Sequence, residues 1–181
     1  MYRLLQAIRD TYITNKVINN KFRATDANVG QAGTLDLFKL YDESKLPGTS
    51  SGVREISRTL IKFDLNPLRA LTGSILDLNH SSFSCHLKLN DVMGGQTVPS
   101  NFKLIVFPLS KSFDEGVGRD IVTFTDLDVA NFITASYADS AISAWTLTGA
   151  NRDGLLDSDN LDIISSGCLL YTSDTDDEED S

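Results

Sequence analysis

The sequence predicts an all-β fold, most simply a jelly-roll-like β-sandwich with one or two short helices. Three observations predict it. Apolar residues recur at a spacing of two over several short runs, the period of a half-buried strand. Turn-forming pairs punctuate the chain between those runs, at Pro47-Gly48, Gly52, Asn66-Pro67, Gly94-Gly95, Pro99, Gly116 with Gly118, and Asp153-Gly154. Helical periodicity is thin throughout, and short strands with many turns favour two packed sheets.

Taken in order, Thr11 to Ile18 is a first strand candidate. Leu35 and Leu37 alternate with Thr34 and Asp36 before Phe38 and Leu40 take over. Ile61, Phe63 and Leu65 alternate with Leu60, Lys62 and Asp64. A helical turn is expected over Pro67 to Leu71, because proline is tolerated in a first turn. Phe83, Cys85, Leu87 and Leu89 alternate with Ser84, His86 and Lys88 as a strand with one apolar face. Phe102 to Leu109 is apolar except for Lys103, the pattern of a strand covered on both faces. Further strands are expected at Arg119 to Phe124, Ile142 to Leu147 and Leu161 to Ser165. Thr125-Asp126-Leu127-Asp128 has the form of a capping box, so a short helix is expected over Asp126 to Ala135.

Composition excludes several classes. With 181 residues, 41% of them hydrophobic and 23% charged, the chain suits one globular domain rather than a collagen-like, coiled-coil or wholly disordered one. No run approaches the ~18 apolar residues of a membrane span, and Met1 to Asp10 lacks the apolar centre of a signal peptide. Two cysteines and two histidines leave little room for a disulfide framework or a histidine-rich metal site. The formal charge of −9 argues against a nucleic-acid surface.

Much of that charge sits at one end. Cys168 to Ser181 carries Asp174, Asp176, Asp177, Glu178, Glu179 and Asp180 without a base, and removing those six from −9 leaves −3 for residues 1–167. One reading is a solvated acidic tail. Another starts from Cys168-Leu169-Leu170-Tyr171-Thr172-Ser173-Asp174, which resembles the translation of a transposase adapter used in sequencing libraries. On that reading 1–167 is a single β-sandwich domain incomplete at its C-terminus, 168–181 is a non-native tail, and the open sheet edge makes the chain poorly soluble or oligomeric.

Motifs for catalysis are absent: no Gly-x-Ser-x-Gly elbow, phosphate-binding glycine loop, dinucleotide fingerprint, His-Glu-x-x-His or Cys-x-x-Cys pair occurs. His86 is expected to be exposed on its strand and Cys85 to be a small core residue. The most distinctive polar loop is Ser110 to Asp120. Asp114, Glu115 and Asp120, bent around Gly116 and Gly118, could offer oxygens to calcium. The same carboxylates could instead accept backbone N–H groups in a structural turn, with Arg119 paired to an acid. A second acidic group, Asp153, Asp157, Asp159 and Asp162, reads the same two ways. Arg54, Glu55, Arg58 and Lys62 form either a charged patch or a solvated strand face. Phe113 and Trp145 are candidate interaction residues, since aromatic anchors dominate many interfaces; ordinary core packing is the alternative for both.

Ile56-Ser57-Arg58-Thr59-Leu60-Ile61-Lys62-Phe63-Asp64-Leu65 resembles the Arg-Ser/Thr-Leu-Ile/Leu-Lys-Phe-Asp strand of DNRLRE-type domains, with Asp10-Thr11-Tyr12-Ile13 and Asn28-Val29-Gly30 in the positions of the family's preceding strand and loop. The nearer likeness is to virion structural proteins of contractile-tailed marine phages. It is carried by Ile13-Thr14-Asn15-Lys16, Phe113-Asp114-Glu115-Gly116-Val117-Gly118, Asp126 to Ser136, and Trp145-Thr146, and covers about residues 9 to 150. The family's later acidic strand and second Trp have no counterpart here.

The resemblance implies a β-sandwich module of jelly-roll, carbohydrate-binding-like architecture and a non-enzymatic virion structural or accessory protein, present in multiple copies in the particle and contacting other virion proteins. It supplies no catalytic residues, no cofactor, and no nucleic-acid or membrane partner. The alternative is a carbohydrate-binding or adhesion module of a host-recognition or bacterial surface protein, which would stack cell-surface glycans on exposed aromatics.

Overall fold

The computed structural model describes residues 2–19, 21–41, 53–90, 92, 103–150, 162–164 and 169–172, the last four by backbone alone. The fold is all-β and antiparallel. Strand β1 (Ala7–Thr14) leads through β2 (Val17–Ile18) and β3 (Phe22–Arg23) to β4 (Lys39–Tyr41) and the long β5 (Val53–Phe63). A single helical turn, α1 (Asn66–Arg69), precedes β6 (Lys103–Val106), β7 (Thr134–Ala138), β8 (Ala141–Ala144) and β9 (Leu169–Thr172).

Among the described residues one sheet has the order β1-β5-β4, and β2-β3, β6-β9 and β7-β8 form two-stranded ribbons. β1 runs against β5 from Thr14 opposite Ser57 to Ala7 opposite Phe63, with an irregularity between Ala7 and Arg9. Thr11, Tyr12, Ile13 and Thr14 are all buried, so both faces of the sheet are covered where β1 ends. β7 and β8 are joined through Asp139 and Ser140, both at positive φ (52° and 62°), which is the conformation of a tight hairpin turn whose twist matches its strands.

Among the described residues the core has two parts. Ile13, Leu60, Phe113, Ala130, Phe132, Ala135, Trp145 and Ala150 form the larger cluster, with Ile56 and Leu109 packed against it. Ile18, Ala24 and Ala27 form a smaller one beside Ile121 and Phe124. Ile13 is wholly buried, and a side chain of that size contributes roughly 1.5–3 kcal/mol by leaving water.

Several expectations need correction. Phe83 to Leu89 is not a strand; Cys85 is exposed rather than core, as are Leu87 and Leu89. Alternation buries a face only where a partner ladder exists, and here local bonds lead in instead, such as Asp77 Oδ1 accepting the Asn79 N–H at 2.9 Å and Phe83 N–H reaching the His80 carbonyl at 2.9 Å. Asp126 to Ala135 is not a helix. Phe124 and Asp126 take positive φ (50° and 61°), and the Asp126 carboxylate caps Val117 N–H at 2.9 Å instead of its own first turn. Arg119 to Phe124 holds no strand, because Asp120 Oδ1 bends it by accepting Val122 and Thr123 N–H groups, each at 2.8 Å. β6 is not covered on both faces, since Ile105 is 58% exposed.

The helical turn expected after Asn66 is present as α1. The first strand is split into β1 and β2, and the strand expected from Leu35 is confined to β4. Of Leu161 to Ser165 the described part makes one bridge, Ile163 with Leu109. The four residues of β9 pair with β6 from Val106 opposite Leu169 to Lys103 opposite Thr172. The turns at Pro47-Gly48, Gly52, Gly94-Gly95, Pro99 and Asp153-Gly154, and the tail from Ser173 on, lie outside the described residues.

Candidate functional site

The polar loop from Ser110 to Asp120 is held by a buried side chain that precedes it by some ninety positions. Asn28 is wholly buried. Its Nδ2 donates to the carbonyls of Glu115 and Ala130, each at 2.8 Å, and its Oδ1 accepts the N–H groups of Gly118 at 2.8 Å and Gly30 at 3.2 Å. Two donors and two acceptor positions are the full capacity of an amide, so nothing on this group is left unmet. The glycines follow from that joint. Gly116 has φ +79°, and a Cβ there would collide with the Asn28 amide, while a Cβ on Gly118 would collide with the Asn28 carbonyl oxygen.

The three calcium candidates are not brought to one point. Asp114 Oδ1 receives Arg9 Nη1 at 3.1 Å and its Oδ2 receives the Tyr137 N–H at 3.0 Å, which ties β1 to β7. Glu115 Oε1 receives the Asp10 N–H at 3.2 Å. Asp120 serves its own turn, and the bonds from Val122 and Thr123 hold its carboxyl below the ordinary carboxylate value. Among the described residues no group of three or more His, Cys, Asp or Glu could hold a metal ion, and each of the three carboxylates accepts a backbone N–H. Arg9, not Arg119, is the base that pairs with Asp114. Both side chains are substantially exposed (44% and 34%), so the pair itself adds little stability.

Phe113 and Trp145 are both core residues, 3% and 5% exposed, and neither presents a face to a partner. Trp145 is fixed from both ends. Its backbone N–H reaches the Ile133 carbonyl at 3.0 Å, and its indole N–H donates to the Asn131 carbonyl at 2.8 Å. Asn131 in turn accepts the Ile133 and Thr134 N–H groups at 2.8 and 2.7 Å and donates to the Leu127 carbonyl at 2.7 Å.

Of the second acidic group, Asp153, Asp157 and Asp159 lie outside the described residues. Asp162 is 4% exposed and accepts both the N–H and the hydroxyl of Thr146, at 2.6 and 2.8 Å. Lys111 Nζ lies 3.6 Å from its Oδ1 and donates to the Ala144 carbonyl. Arg58, from the charged patch, donates to the Gly149 carbonyl at 2.9 Å; burial lowers its pKa from the ordinary guanidinium value. Burial, with Asp36 as hydrogen-bond partner, pushes the Tyr12 phenol up to about 12. His80 closes an exposed turn with Ser82, its Nδ1 2.8 Å from the hydroxyl, and His86 is exposed.

Sequence reasoning did not single out Asn28 as a joint, nor Asn131 or the Lys111–Asp162–Thr146 group. The only available signal for the first was the coincidence of Asn28-x-Gly30 with Gly116-x-Gly118, two glycine spacings that have meaning only when seen in contact. No family model matches the chain, and no curated protein or solved structure matches it.

Proposed function

We propose that this chain is a non-enzymatic structural or accessory component of a phage particle, present in multiple copies and acting through its surface. The finer architecture, a jelly-roll-like sandwich, belongs to the same reading. One observation carries it. A loop by which the sequence resembles DNRLRE-type domains, Asn28-Val29-Gly30, and two segments by which it resembles phage virion proteins, Phe113 to Gly118 and Asp126 to Ser136, are joined through the four hydrogen bonds of Asn28. Segments matched separately in the sequence share one hydrogen-bonded joint, which supports reading the matches together. A rigid loop set on a strand scaffold suits a role built on repeated surface contacts.

The glycan-binding alternative loses its leading aromatic, because Trp145 is buried and its indole N–H is already bonded. Mass spectrometry of purified particles from a host carrying this gene tests the proposal. Tryptic peptides of the chain at structural-protein abundance support it, as do neighbouring genes for capsid, neck or tail proteins. Absence from particles, together with binding on a glycan array, overturns it in favour of adhesion.

A further inference from the structure

We draw no further inference here: the strongest candidate, the exposed apolar patch formed by the cross-strand pair Tyr137 and Ile142 on the β7–β8 hairpin, carries none because nothing in the structure shows what covers it.

Discussion

Asn28 Oδ1 accepts the Gly118 N–H at 2.8 Å inside a site closed to water, so two loops distant in sequence share one amide. Asn28→Ala removes the amide and leaves the Glu115 and Ala130 carbonyls and the Gly118 and Gly30 N–H groups short of partners. Each unmet buried group costs about 1–3 kcal/mol, and local relaxation recovers part of it, so a loss of roughly 3 kcal/mol or more is expected. Asn28→Asp keeps the acceptor but aims a second oxygen at two carbonyls, and it should destabilise as well. Urea unfolding of the three proteins checks both, and a change under about 0.5 kcal/mol for Asn28→Ala would show that the joint is not structural.

Trp145 supplies the second prediction. Trp145→Ala opens a cavity in the larger cluster and should cost about 3–5 kcal/mol. Trp145→Phe retains most of the packing but leaves the Asn131 carbonyl without its donor, at about 1–2 kcal/mol. Loss of a surface contact would leave thermal stability unchanged, so calorimetry separates the core role from an interface role directly.

The strands that could be read from the sequence are those whose alternation found a partner. β5 is readable because Ile61 and Phe63 alternate with Lys62 and because β1 supplies a ladder along its length. Phe83 to Leu89 alternates just as clearly, yet no strand pairs with it among the described residues, and Cys85, Leu87 and Leu89 stay exposed. Thr125 to Asp128 looked like a helix start because a capping acid and a loop-closing acid are the same residue type; which role wins depends on Val117, nine positions away from Asp126. The site was less readable still. Asp114, Glu115 and Asp120 are close in sequence, but each serves a different backbone N–H, and the group that organises them is the neutral Asn28, which no charge pattern can reveal.

The Tyr12 phenol gives a pH dependence on the alkaline side. Its folded value, about 12, lies above the ordinary ~10 of an unfolded chain. The folded state therefore holds its proton more tightly. The associated stability is fully present below pH ~10 and is lost as pH rises from there through the folded value. Tyr12→Phe should remove this alkaline loss, and tyrosinate absorbance in the native protein should show a phenol that ionises above ~10 and is missing from the variant. A Tyr12 that ionises at the ordinary phenol value of ~10 would contradict the burial and the Asp36 bond.

Asp120 acts on the acid side. Its folded value is lowered, first by the Val122 and then by the Thr123 backbone bond. The stabilisation is therefore complete above the unfolded carboxylate value of ~3.9 and is lost as pH falls through the folded value. Asp120→Asn should be less stable than the parent at neutral pH, and the gap should close on acidification below ~pH 4. A carboxyl-resolved NMR titration reads the direction independently.

Asp162 sets the last prediction. It is the buried member of an ion pair whose partner, Lys111, is less enclosed (5% against 26% exposed side chain), and it also satisfies the Thr146 N–H and hydroxyl. Asp162→Ala removes all three links at once and leaves the lysine without its counter-charge. Deleting one partner of a buried pair costs about 3–5 kcal/mol, and the partial exposure of Lys111 places the expected loss near the lower end, about 3 kcal/mol. Asp162→Asn separates the contributions. The amide oxygen still accepts from Thr146, so only the charge attraction and one acceptor oxygen disappear, and the loss should be no more than about half as large. Lys111→Met in the Asp162→Asn background then removes the lone charge and should restore part of the stability, a coupling that a double-mutant cycle measures. If Asp162→Asn is as damaging as Asp162→Ala, the carboxylate's charge, rather than its bonds to Thr146, holds residues 162–164 against Ser110 and Lys111.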